Sequence, residues 1–183
     1  MFLPFSSDGT CGSEQIVSST NYDGSLFPAS NILSLDDDEW NGTPANYWLA
    51  QDGKTGEEQG FIMYLGCNKT VTGVALKNTH NARSRDRSTR KFRILGSSTK
   101  SGPWQELLVA DLEDSRNQDP PPLQQLIFAN SAVVSFIKFE LLEYYGYGGG
   151  LQHFVIEGGE STTTVYPGTT AHQINISRAI AST

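Results

Sequence analysis

Nearly half of the 13 basic residues of this 183-residue chain crowd into one short stretch, as Arg83, Arg85, Arg87, Arg90, Lys91 and Arg93. Asn78, His80, Asn81 and Asp86 are interleaved with them. Guanidinium, imidazole and carboxamide groups offer hydrogen-bond donors of fixed geometry, the chemistry that recognises a polyhydroxylated or acidic ligand. Asn78, His80, Arg83 and Arg87 are therefore candidate ligand contacts. The alternative is a solvated charged face, part of which continues into a strand at Lys91. A second constellation sets Tyr144, Tyr145 and Tyr147 beside Gly146, Gly148, Gly149 and Gly150. Glycines let a loop lie close to a ligand, and a flat ring suits the C–H face of a sugar. Tyr145 and Tyr147 join the candidates, with core packing open for at least one of these tyrosines. Trp40, set among Asp, Glu and Asn, is expected to be exposed and to contact ligand, whereas Trp48 is expected in the core. A third constellation is rich in oxygen: Asp36, Asp37, Asp38 and Glu39, then Asn41 and Thr43. Calcium takes six to eight such donors. Asp36, Asp38, Asn41 and Thr43, with Glu157 as a distant partner, are the candidate ligands for one structural calcium ion, and a merely solvated acidic segment is the alternative.

None of this amounts to a catalytic centre. The chain has no phosphate loop, nucleophile elbow or metal-protease helix motif. Its three histidines, His80, His153 and His172, share no ligand spacing. We expect no enzyme. The net charge of −7 repels a phosphate backbone, so nucleic acid is not an expected partner. No apolar run approaches the roughly 20 residues that span a bilayer. Cys11 and Cys67 are the only cysteines, either bridged, as suits a secreted domain, or two free thiols. Sequons at Asn41, Asn68 and Asn175 would be usable acceptors in a eukaryotic secretory pathway.

The elements that must position these residues read as short strands separated by turns. Gln15–Ser19 has strand character. Residues 61–65 and 71–76 are apolar runs around the turn-like Gly66-Cys67-Asn68-Lys69, which suggests adjacent antiparallel strands. Phe92 and Ile94 alternate with Lys91 and Arg93, and Ile137, Phe139 and Leu141 with Lys138 and Glu140, the pattern of half-buried strands. Residues 123–128, introduced by three prolines, and 151–157 complete the set. Helical periodicity never takes over, and an all-β chain follows. Beyond Gly158-Gly159 the composition turns to Ser and Thr, so the domain is placed at 1–158, with 159–183 as a tail or linker.

Several pieces, in order, resemble the discoidin or coagulation-factor C-type domain family, which is galactose-binding-like. They are Phe27-Pro28-Ala29-Ser30-Asn31-Ile32-Leu33, Tyr47-Trp48-Leu49-Ala50, and Gly60-Phe61-Ile62-Met63-Tyr64-Leu65-Gly66, where Tyr64 stands in place of the family's acid. Val71-Thr72-Gly73-Val74-Ala75-Leu76, Arg87-Ser88-Thr89-Arg90-Lys91-Phe92-Arg93-Ile94, Gly102-Pro103-Trp104 and residues 136–141 continue the series, which ends with 151–157. The end-to-end disulfide common in the family has no counterpart, since no cysteine lies near Glu157.

The resemblance implies a jelly-roll β-sandwich of about eight antiparallel strands with its binding loops clustered at one end. It places the tyrosine–glycine loop at that end, and the acidic segment where many carbohydrate-binding relatives hold calcium. The expected function is non-catalytic and lectin-like: binding of a glycan or glycoconjugate. A protein-interaction or cell-adhesion domain on the same sandwich is the alternative. Membrane contact is expected only through glycans, oligomerisation for avidity stays open, and an extracellular or secreted location is favoured over a cytosolic one.

Overall fold

The computed structural model describes residues 11–23, 26–34, 46–56, 59–81 and 84–159. Seven strands are named: β1 (Gln15–Ser19), β2 (Trp48–Leu49), β3 (Gly60–Asn78), β4 (Arg87–Ser97), β5 (Gln105–Asp111), β6 (Leu123–Gly146) and β7 (Gly150–Gly158). A single 3-10 turn, Ala29–Leu33, precedes β2. All strand pairings are antiparallel.

Two long strands organise the sandwich. β3 and β6 run against each other throughout, from Gly60 opposite Glu140 to Lys77 opposite Leu123. The first half of β3 also carries β1, while its second half carries β7, which in turn pairs with β2. The later half of β6 pairs with β4, and β4 with β5. Each long strand thus serves both layers. The crossing lies where the β3–β6 register breaks between Tyr64 and Lys69. Gly66 makes this bend possible. Its φ is +83°, and a Cβ there would lie 2.0 Å from the Gly12 carbonyl oxygen, a backbone atom that cannot yield.

This corrects the expectation that 61–65 and 71–76 pair with each other. They are successive halves of one bent strand, and 123–128 and 133–142 are likewise joined in β6. Turn-like residues at 66–69 bend the chain between layers instead of reversing it; with the two joins, and with β2 and β5 added, seven strands are described. The strand expected at Gln15–Ser19 is present, and β7 ends at Gly158.

The alternation read at 91–94 and 137–141, with the apolar run at 61–65, fills the interior. Phe61, Met63 and Leu65 of β3, Phe92 and Ile94 of β4, and Ile137, Phe139 and Leu141 of β6 are all buried. Phe139 is the hub, stacked on Phe61 at 5.1 Å and on Phe92 at 5.3 Å, with Trp48 edge-on at 5.8 Å. Trp48 is fully buried, as expected, and its indole N–H donates to the Thr20 carbonyl at 2.8 Å. Cys11 and Cys67 form a disulfide across Cα atoms 5.2 Å apart, which resolves the open alternative.

Candidate functional site

At one end of the sandwich, the loop after β3 and the loop between β6 and β7 are built into one unit. The ladder sets Arg87 opposite Gly146, the Tyr147 N–H donates to the Asp86 carbonyl at 2.8 Å, and the Ser88 N–H donates to the Gly148 carbonyl at 3.1 Å. Gly146 has φ +76°, and a Cβ there would fall 2.1 Å from the Asp86 carbonyl oxygen, so only glycine lets the two loops close. A third loop, from β2, joins them: the Gly53 N–H reaches the Tyr147 carbonyl at 3.4 Å, and the Ala50 N–H reaches that of Gly149 at 3.0 Å.

Arg87 is the tie between these loops. Only 4% exposed, its guanidinium pairs with Asp52, donates to the Ala50 carbonyl at 3.3 Å and lies over the Tyr22 ring at 4.3 Å. From Tyr22 an aromatic path runs to Phe27 at 6.3 Å and on to Tyr47, stacked at 5.3 Å. The Tyr47 hydroxyl donates to Asn81 Oδ1 at 3.2 Å, and Asn81 Nδ2 donates to Asp86 Oδ1 at 2.6 Å. Asn81 sits at φ 57°, a conformation that asparagine tolerates better than most residues. The circuit closes where Asp86 holds the backbone of Tyr147. Burial first, and then the Asp86 carboxylate, push the Tyr47 hydroxyl up to about 12, against a smaller opposing pull from Arg87. Tyr47 is therefore a fixed donor at neutral pH.

The surface that this circuit presents is mixed. Tyr147 is 72% exposed, Tyr22 and Leu26 are also exposed, and the Asp52 side chain is half exposed. One open ring, Tyr22, thus lies on the buried Arg87 guanidinium, whose partner Asp52 meets solvent, and a second, Tyr147, stands on a backbone tied to Asp86 and Gly53.

The residues expected from sequence distribute unevenly over this end. Tyr147 is on its surface, and His80 is half-buried in the loop that follows β3. Arg87 is in place, but its donors point inward, so it positions Asp52 and Tyr22. Asn78 is 0% exposed and saturated. It donates to the Thr89 and Glu113 carbonyls at 2.7 and 3.0 Å and accepts from the Thr79 and Thr89 N–H groups at 3.1 and 2.8 Å. It pins the end of β3 to β4 and has no hydrogen-bonding capacity left for a ligand. Tyr145 lies on the flank, half-buried, its hydroxyl on the Leu112 carbonyl at 3.3 Å and its ring between the guanidiniums of Arg90 (5.9 Å) and Arg116 (5.7 Å). Trp40 and Arg83 lie outside the described residues, as do Asp36, Asp38, Asn41 and Thr43. Glu157 is described, and its Oε1 accepts from Gln125 Nε2 at 3.0 Å. Among the described residues no three His, Cys, Asp or Glu side chains gather as a metal site.

Three of the six cations of the basic stretch are paired with carboxylates. Arg87 meets Asp52, Arg90 meets Glu143 at 3.3 Å, and Arg93 is bound by Glu140, which is 1% exposed. Arg116, outside the stretch, chelates Asp114 and so holds that carboxyl below its ordinary range. The local pull on an acidic ligand expected from sequence is therefore reduced at these three positions, because each partner carboxylate comes from a distant part of the chain. Tyr22, Tyr47 and Asp52 were missed for the same reason: none stands near the basic or glycine-rich segments in sequence. The Asp52-Gly53 turn was the only local signal.

No family model and no curated protein matches the sequence. Solved structures do. The family 32 carbohydrate-binding module of NanJ from Clostridium perfringens, solved in complex with galactose, superposes with a TM-score of 0.56 at 14% identity, over 78% of this chain and 92% of that one. The fold is that of a galactose-binding-like β-sandwich. The family 32 module of AlyQ, in complex with 4,5-unsaturated mannuronic acid, matches at 0.53 and 17% identity, over 81% of this chain and 95% of that one. A chitosan-binding module from a chitosanase/glucanase of Paenibacillus sp. IK-5 matches at 0.51 and 15%, over 80% and 94%. At such identities the shared property is the galactose-binding-like sandwich itself; the ligands belong to those proteins. Among the described residues, no helix is long and apolar enough to cross a membrane.

Proposed function

We propose that this galactose-binding-like sandwich is a non-catalytic, lectin-like module that holds a glycan at the end formed by the loops around Tyr22, Asp52, Asn81–Arg87 and Tyr147. The observation that carries the reading is the 72% exposed Tyr147 ring, mounted on a backbone tied to Asp86 and Gly53 beside the Arg87–Asp52 pair. A rigidly mounted open ring next to hydroxyl-binding carboxylates is the arrangement a pyranose needs: its C–H face stacks and its hydroxyls donate. The modules of the same fold solved with galactose and with an unsaturated mannuronic acid support it. Because Arg87, Arg90 and Arg93 are already paired with carboxylates, the ligand class we favour is polyhydroxylated and not polyanionic.

The disulfide supports an extracellular or secreted location, since such bridges persist in oxidising compartments. A glycan array with the parent chain and Tyr147→Ala, paired with thermal melting, tests the reading. We expect the parent to bind and the variant to lose binding at an unchanged melting midpoint. Absence of any bound glycan would favour the protein-interaction or adhesion role instead.

A further inference from the structure

The end of the sandwich opposite the loops carries chemistry that the glycan-binding reading does not use. β3 approaches the loop end with both of its termini, and its bend at 66–69 lies at the other end. From Asn68 to Asn78 the chain runs about ten residues in extended form, roughly 30 Å. The bend bulges out of the ladder: Tyr64 pairs with Phe136 and Lys69 with Val134, so the residues between them lack a regular register partner on β6. Asn68, on that bulge, is exposed, and so is Thr70 two residues later. Asn68-Lys69-Thr70 is a sequon.

We infer that Asn68 is an acceptor for an N-linked oligosaccharide. Three features of the site fit that modification and do not follow from the sequence motif. Ser135 Oγ donates to Asn68 Oδ1, which fixes the carboxamide by its oxygen, and no described partner takes the Nδ2 nitrogen to which the sugar would be joined. Exposure of the bulge leaves room for a bulky branched group without displacing core atoms. Cys67, the neighbouring residue, is bridged to Cys11, which ties the bend to the oxidising compartment in which such transfer takes place. The donor is an oligosaccharide linked to a lipid through pyrophosphate. The Nδ2 nitrogen bonds to the sugar C1, the bond from C1 to the pyrophosphate oxygen breaks, the lipid pyrophosphate leaves, and the transferase's base takes one amide proton. Placed at the far pole, the attached glycan stays clear of Tyr22, Asp52 and Tyr147. Asn41 and Asn175, the other sequons, lie outside the described residues.

The test is site mapping on the full chain secreted from eukaryotic cells behind a leader peptide. Peptide N-glycosidase treatment in heavy-oxygen water should convert Asn68 to a labelled aspartate. Asn68→Gln, and separately Thr70→Ala, which leaves the Asn68–Ser135 hydrogen bond in place, should each remove the mass of one oligosaccharide. Recovery of the Asn68 peptide unmodified from secreted, disulfide-bonded protein would overturn the inference, as would modification confined to Asn41 or Asn175. These are mass readouts, independent of whether the loop end binds a glycan.

Discussion

Two aromatic clusters among the described residues, one in the interior and one at the loop end, differ in what surrounds them. Phe61, Phe92, Phe139 and Phe154, with Trp48, pack against one another and against aliphatic side chains in the closed interior. Phenylalanine makes no polar demand, and the one tryptophan satisfies its N–H on a carbonyl. At the loop end the rings are mostly tyrosines, and three of them meet a charge or a polar group: Tyr22 under Arg87, Tyr47 on Asn81, Tyr145 between Arg90 and Arg116. Rings of the first kind stabilise by leaving water. Those of the second kind hold loops in register through polar contacts, Tyr22 and Tyr145 partly in water and Tyr47 buried, so the loss of the open rings should cost function more than stability.

That contrast can be broken by substitution. Phe139→Ala removes the hub of the closed cluster and should cost about 3–5 kcal/mol in a denaturant titration, enough to leave the domain marginal. A cost below about 1 kcal/mol would mean that the interior relaxes freely and is not the packed unit described. Arg87→Ala is expected to lie between the two regimes. It frees three loops while leaving Asp52 partly solvated, so about 2 kcal/mol of stability should go together with ligand binding. Were Arg87→Ala to melt like the parent, the guanidinium would not be the tie we describe.

Tyr47 sharpens the comparison from the side of pH. Its hydroxyl, raised from 10.0 to about 12 in the folded chain, ionises earlier when unfolded. The unfolded state therefore loses its proton first, and the contribution to stability, complete below about pH 10, is lost as pH rises to about 12. In Tyr47→Phe the decline in stability over that window should be shallower than in the parent; an equal decline would show that Tyr47 plays no part in it. Calcium, proposed from Asp36, Asp38, Asn41 and Thr43, is the smallest effect: an ion bound only by the folded chain raises the melting midpoint. Equal midpoints with calcium and with excess chelator would leave that acidic segment without an ion.

The all-β class and the inward-facing residues were legible because alternation is a local signal. Phe92, Ile94, Ile137, Phe139 and Leu141 each announce their face within a few neighbours, whereas 61–65 reads only as an apolar run. The joining of 61–65 with 71–76 was not legible, because a glycine that bends a strand between layers and a glycine that reverses it look alike in sequence. β5 escaped notice altogether, since an edge strand that leaves Val109 exposed lacks clean alternation. At the loop end, the meeting of the basic and tyrosine–glycine loops was expected from the family resemblance, while glycine and aromatic content marked Tyr147 as a candidate. The roles of Arg87 and Asn78 did not. Both were read as outward donors, and both turn inward because their partners, Asp52 and Ala50 for one, Thr89 and Glu113 for the other, come from other segments.

The central claim is that ligand meets the loop end and not the bend, and amide chemical-shift mapping tests it most directly. The labelled chain would be titrated with a glycan that the array identifies. Our account predicts that shifts concentrate at Tyr22, Asp52, Gly53, Asn81, Asp86 and Tyr147, while Gly66, Cys67 and Asn68 stay still. Perturbations centred on the bend or on the outer sheet faces, with the loop amides unmoved, would contradict it.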